Sequence, residues 1–183
     1  MLEFLIVRHG SPTLSGLKTG SLFTCIFSNQ YEMRDHLLYW NQRLSHKGLY
    51  LLPLDERGGR TLIYLYRPSL LTRDLSHAKT ASLLTRLHYP THSPACCVAQ
   101  LMIRLRTNGS FPHEIGLFLG YPPEDVQGFM NDPSKCKYTG FWKVYENTDA
   151  ARALFAQYRL CTRRNQESLA LGIPLETLAC SIL

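Results

Sequence analysis

Leu49-Tyr-Leu-Leu-Pro-Leu54, Asp55-Glu-Arg-Gly-Gly59 and Thr61-Leu-Ile-Tyr-Leu-Tyr66 lie in one run whose reading decides the fold. Two stretches rich in Leu, Ile and Tyr flank a polar segment that ends in two glycines, which is the pattern of a β-hairpin. Pro53 has no backbone N–H to give to a neighbouring strand, so its strand is expected at a sheet edge. Residues 21–27, Ser-Leu-Phe-Thr-Cys-Ile-Phe, read as a further short strand.

Outward from the hairpin the chain turns helical. Met33, Leu37, Trp40 and Leu44 recur at helical spacing between Tyr31 and Lys47, with Gly48 as the stop. Leu70–Leu87 predicts one or two short helices ended by Tyr89-Pro90. Pro94 opens another, with Val98, Leu101, Met102 and Leu105 on one face and Asn108-Gly109 as its stop. Lys137–Tyr145 alternates and reads as an aromatic-rich strand. Asn147-Thr-Asp149 starts a helix with Ala151, Leu154, Phe155 and Tyr158 facing inward, and a short helix follows Pro174. Strands that come singly and as a hairpin, without regular strand–helix alternation, predict α+β. The expected architecture is a small, mostly antiparallel sheet packed by several helices, helix-dominated by residue count. A chain of 183 residues with no repeat, low-complexity tract or evident linker is read as a single domain, 1–183.

A hydrophobic fraction of 45% with 19% charged residues is that of a globular chain, not a disordered one. No segment approaches the roughly 18 apolar residues needed to cross a bilayer. Leu2–Val7 is too short for a signal-peptide core. A cytoplasmic protein without a membrane partner is expected. The cysteines at 25, 96, 97, 136, 161 and 180 include no Cys-x-x-Cys pair and read as small hydrophobes, with no metal assigned. The net charge of +6 is spread along the chain. Its nearest approach to a cluster, Arg159 with Arg163 and Arg164, reads as a solvated helix end.

Three readings of the motifs follow. Leu5-Ile-Val-Arg8-His9-Gly10 resembles the opening of the histidine phosphatase and phosphoglycerate mutase superfamily, in which a histidine at a strand end becomes phosphorylated between arginines. Leu44-Ser-His-Lys-Gly48 and Asp74-Leu-Ser-His-Ala-Lys-Thr-Ala81 resemble later segments of that family. Ser11-Pro12 departs from its pattern, as does His77 in place of a phosphate-binding arginine, and no histidine follows His113. The second reading is a helix-turn-helix over 112–130, with helices at 112–119 and Glu124–Met130 joined by Tyr121-Pro122-Pro123. Glu124 and Asp125 in the first turn of the would-be recognition helix oppose nucleic acid.

The third reading rests on longer strings. Phe111-Pro-His-Glu-Ile-Gly-Leu-Phe-Leu-Gly-Tyr-Pro-Pro-Glu-Asp-Val-Gln-Gly-Phe129 is followed by Cys136-Lys-Tyr-Thr-Gly-Phe-Trp-Lys-Val-Tyr145 and Ala153-Leu-Phe-Ala-Gln-Tyr-Arg-Leu-Cys-Thr162. In order and spacing these resemble a domain-of-unknown-function family of mainly anaerobic Gram-positive bacteria. Pro12-Thr-Leu-Ser-Gly-Leu-Lys18 and Tyr64-Leu-Tyr-Arg-Pro68 resemble its N-terminal half, where a Cys commonly stands in place of Gly10. The resemblance implies no reaction and no named cofactor, only an association with redox or iron-related metabolism. A ligand-binding or accessory protein is therefore expected, whose partner is a small anionic ligand or another protein. Its candidate site residues are His113, Glu114, Lys18, Lys143 and Tyr145, with His113 at a helix start and the lysines and tyrosine supplying positive and hydroxyl groups.

Overall fold

The computed structural model describes residues 1–107 and 111–181, so the expected stop at Asn108-Gly109 lies outside the described residues. It is α+β, with helices holding most of the described chain beside a three-stranded and a two-stranded antiparallel sheet. The chain forms two compact units, Met1–Leu70 with Tyr158–Leu183, and Leu71–Gln157.

The first unit is built on the hairpin. Strands β1 (Gly20–Ile26), β2 (Tyr50–Arg57) and β3 (Arg60–Tyr66) pair antiparallel in the order β1-β3-β2, which puts Pro53 on an edge strand as its missing N–H requires. The register slips between Pro53 and Asp55, so Leu54 is the extra residue of a bulge and turns its fully buried side chain inward. The open edge is partly satisfied from a helix. Asn41, on α2 (Gln30–Leu44), donates to the Leu51 carbonyl at 3.0 Å and accepts from the Leu51 N–H at 2.8 Å, as a neighbouring strand would. Gly48, at φ 70°, ends the short 3-10 turn that follows α2.

Helix α1 (Leu2–Leu14) packs on this sheet. Leu2, Ile6, Val7 and Leu14 join Phe23, Leu37, Trp40, Leu51, Ile63 and Leu65 in one core cluster. A side chain at Gly10 would bring its Cβ to 2.4 Å from Leu65 Cδ2, so the helix lies as close to β3 as glycine alone allows. Helix α9 (Leu175–Leu178) adds Leu175 to the same core.

One polar residue holds this unit together. The side chain of Arg67, just past β3, is fully buried. Its Nε donates to Thr13 O at 2.7 Å, Nη2 to Leu14 O at 2.6 Å and Cys180 O at 2.7 Å, and Nη1 to Lys47 O at 2.8 Å. The last two carbonyls of α1 have no i+4 partner, Thr13 O taking the Gly16 N–H at 3.2 Å and Leu14 O the Cys180 N–H at 3.0 Å, and the negative end of the helix dipole favours a cation there. Burial lowers the Arg67 pKa from its ordinary value.

The second unit is mostly helical. Helix α3 (Pro68–Ser76) carries the chain into it, followed by α4 (Ala78–Arg86), α5 (Pro94–Thr107), α6 (Ile115–Phe118) and α7 (Pro123–Asn131). The expected single strand 137–145 is instead a small hairpin of β4 (Tyr138–Thr139) and β5 (Lys143–Val144). The break falls at Gly140, where a Cβ would sit 2.2 Å from the Phe155 ring, and that close approach folds the segment back on itself. Helix α8 (Thr148–Ala170) begins as expected at Asn147, whose side chain accepts from the Ala150 N–H at 3.1 Å, and returns the chain to the first unit.

Candidate functional site

The long string from Phe111 to Tyr145 forms one structural block of the second unit. The helix expected at 112–119 is shorter than its sequence suggests: only Ile115–Phe118 is α-helical, led in by turns in which Pro112 and His113 accept through their carbonyls. Gly120, at φ 77°, turns the chain, and the Tyr121 N–H closes on Gly116 O at 2.9 Å. Pro123 then starts α7 at a position where its missing N–H costs nothing.

The two buried carboxylates of this block are framework groups. Glu114 accepts from Tyr89 Oη and from Arg104 Nη1, each at 2.9 Å on the same oxygen. The Arg104 guanidinium also lies 4.5 Å over the Tyr89 ring and donates to the Leu87 carbonyl. Burial, then the Glu114 charge, pushes the Tyr89 pKa far above its ordinary value, so the phenol stays a donor. Asp125 accepts the Trp142 indole N–H at 2.7 Å on one oxygen. Its other oxygen takes the backbone N–H groups of Tyr145 and Glu146 at 2.7 and 3.3 Å. Trp142 stacks on Tyr121 at 4.6 Å and meets the edge of Phe155 at 4.4 Å. Burial pushes the Tyr121 hydroxyl up to about 12. Tyr121 and Trp142 are thus packing residues, as the aromatic pattern alone suggests.

Three of the five candidate residues gather around the end of α7. His113 is exposed and stands edge-on to the Phe129 ring at 4.9 Å. Lys143 Nζ lies 5.4 Å over the same ring and donates to Pro133 O at 3.0 Å. Tyr145 packs its ring on Gly128, where a Cβ would come within 2.4 Å of it. Its hydroxyl oxygen is covered and has no hydrogen-bond partner among the described residues. Burial raises the Tyr145 pKa, reinforced by Cys136, Asp132 and Asp125 nearby. Glu114 points its carboxylate to Arg104 and Tyr89 instead. Lys18 belongs to the first unit. It is buried in the turn before β1, and desolvation lowers its pKa to about 8.

The geometry needed for phosphohistidine chemistry is not formed at Arg8-His9-Gly10. His9 sits within helix α1 rather than at a strand end, exposed, with its ring stacked on Phe23 at 6.0 Å. Burial and then Arg8 lower its pKa. The helix-turn-helix reading fails for a different reason. Its first helix is four residues long, and the carboxylates opening α7 are already engaged, Asp125 as above and Glu124 with Lys79. Of the six cysteines, Cys25 and Cys97 are buried as expected, whereas Cys96 and Cys180 are exposed and Cys136 and Cys161 partly so. Among the described residues no three His, Cys, Asp or Glu side chains stand close enough to hold a metal ion, and no helix is long and apolar enough to cross a membrane.

The features that sequence reasoning missed are the buried Arg67, the half-buried Arg104 and their carbonyl partners. Arg67, between Tyr66 and Pro68, and Arg104, between Ile103 and Leu105, carry no local mark of their roles. Only the absence of a nearby acidic residue in the chain, Asp74 being the first after Arg67, hinted that the Arg67 partner is backbone.

The family model described as protein of unknown function (DUF3793) matches residues 6–179. The chain therefore belongs to that family of unknown function. No curated protein and no solved structure matches it.

Proposed function

We propose that this member of the family is a ligand-binding protein that takes a small anionic compound on the face formed by His113, Phe129, Lys143 and Tyr145. The observation that carries this reading is the pairing of His113 and Lys143 about one ring, at 4.9 and 5.4 Å from its centroid. Lys143 spends one of its three donors on Pro133 O, which fixes its direction while leaving two for a ligand. The exposed imidazole adds a donor, and the Phe129 ring offers an apolar wall for the body of the ligand. Tyr145 borders this face through its ring, which packs on Gly128 beside Phe129. Glu114 serves this face indirectly. Its ion pair with Arg104 anchors the residue after His113 and so fixes where the imidazole emerges. Lys18, carried on the first unit, is not assigned to this face.

A metabolic setting in redox or iron-related chemistry, and a cytoplasmic location, belong to the same proposal. Native mass spectrometry of protein purified without oxygen tests it, since that method retains a flavin, metal ion or phosphate compound alike. The expected result is a bound anionic compound that is lost from the His113→Ala and Lys143→Ala variants. Retention of every detected compound by both variants overturns the reading.

A further inference from the structure

The two edges of the sheet β1-β3-β2 are guarded unequally. On the outer edge of β2, Pro53 has no N–H to offer and the bulge at Leu54 breaks the line. Asn41 closes both backbone groups of Leu51, and Asp55, Glu56 and Arg57 add charge. The outer edge of β1 has none of these protections. Gly20-Ser-Leu-Phe-Thr-Cys-Ile26 contains neither a charged residue nor a proline.

The ladder decides which groups of β1 face outward. Antiparallel partners alternate between pairs that exchange both hydrogen bonds and pairs whose groups point away. The Arg67 N–H donates to Thr19 O at 3.0 Å, so Ser21, Phe23 and Cys25 are the residues that bond to β3. Leu51, opposite Leu65 across β3, turns its groups out to Asn41, as the same alternation requires. The N–H and C=O groups of Leu22, Thr24 and Ile26 therefore point away from the sheet. Among the described residues, only Ile26 O has a partner, the thiol of its neighbour Cys25 at 3.7 Å. Leu22 is half-buried, whereas Thr24 and Ile26 are exposed.

We propose that β1 pairs antiparallel with β1 of a second copy of this chain, about a two-fold axis at Thr24. That axis sets Leu22 opposite Ile26 of the copy and Thr24 opposite its own counterpart. Every outward N–H then meets an outward C=O, because an antiparallel strand centred on an outward residue complements itself. The side chains suit this register. The outward residues run Leu-Thr-Ile, which has the same character read from either end. Apolar Leu22 and Ile26 meet across the axis, and the two threonines pair at its centre. Leu62, the β3 partner of Thr24, is half-buried on the same sheet face and extends the apolar strip. A strand edge alone is a small interface, so association in the micromolar range is expected.

The test is sedimentation velocity of the full chain over a concentration series that reaches the high micromolar range. The expected result is a shift with concentration from the 20.9 kDa monomer to twice that mass. Thr24→Lys and Thr24→Glu each set a charge opposite its own copy and weaken self-association at least about tenfold. Mixed in equal amounts, the two variants associate again, because Lys then meets Glu across the axis. Glu56→Lys, on the guarded edge, controls for added positive charge and leaves the association unchanged. Far-UV circular dichroism verifies that each variant is folded. A parent chain that stays monomeric, undiminished association of Thr24→Lys, a mixture that fails to associate, or equal weakening in Glu56→Lys overturns the proposal. None of these outcomes bears on the His113–Lys143 face.

Discussion

Asp125 and Trp142, seventeen residues apart, are joined by a 2.7 Å hydrogen bond from the indole N–H to the carboxylate, inside the most distinctive stretch of the chain. The bond ties the first turn of α7 to the hairpin that bears Lys143 and Tyr145. It makes the acidic start of α7 an internal anchor rather than a surface for a polyanion.

Asp125→Asn is the sharpest probe of that anchor. The amide keeps the size of the carboxylate and one acceptor oxygen, which can still serve the Tyr145 and Glu146 N–H groups. Its NH2 then faces the Trp142 N–H, donor against donor. A loss of about 2–3 kcal/mol is expected in urea denaturation, the cost of a buried donor left without an acceptor. In a Trp142→Phe background the same substitution costs markedly less, because the clashing donor is gone.

Arg67 is the corresponding centre of the first unit. Arg67→Lys keeps the charge but offers three donors from one point, which cannot reproduce bonds that leave from Nε to Thr13 O, from Nη1 to Lys47 O and from Nη2 to Leu14 O and Cys180 O. Arg67→Met removes the charge and all four side-chain bonds, while Thr13 O and Leu14 O keep the Gly16 and Cys180 N–H groups as partners. Both lower stability by about 3–5 kcal/mol, the range seen when a buried charge network is broken. Hydrogen exchange at the end of α1 and around Cys180 rises together in each variant, because one side chain closes both sites.

Much of this frame was legible in the sequence, and the reason differs from element to element. The hairpin at 49–66 announces itself through short-range chemistry, with β-formers on both sides of paired glycines, and Pro53 even specifies the edge. The helix cap at Asn147 is equally local. Helix α1 was not legible, because its buried stripe Leu2, Ile6, Gly10 and Leu14 includes a glycine that reads as a break and counts in fact as a close contact with Leu65. The strand expected over 137–145 fails at Gly140 because of a tertiary contact with Phe155, which no local pattern encodes. Of the proposed face, His113, Lys143 and Tyr145 stand out in the sequence as polar residues the fold has no evident use for. Phe129, the ring that His113 and Lys143 share, carries no polar mark in the sequence, and Glu114 is a partner of Arg104, ten residues earlier in the chain.

Lys18 gives the fold a pH signature. Its pKa falls to about 8 in the folded protein from 10.5 in its ordinary setting. Between those values the unfolded chain holds the proton that the folded one has released, so stability rises with pH there. Below pH 8 both states hold the proton, and the folded state bears the net desolvation cost of the charged Lys18. Urea midpoints are expected to climb from about pH 8 toward pH 9.5, before tyrosine ionisation in the unfolded chain reverses the trend. Lys18→Met shows no such climb.

The most direct measurement follows the ring resonances of His113 by NMR while inorganic phosphate is added. Among the seven histidines of the chain, His113→Gln identifies the signal. Saturable shifts of the His113 resonances, strongly reduced in Lys143→Met while the other histidines stay still, are the result expected of a shared anion-binding face. Absence of a saturable shift, or a shift of the same size in Lys143→Met, would contradict it.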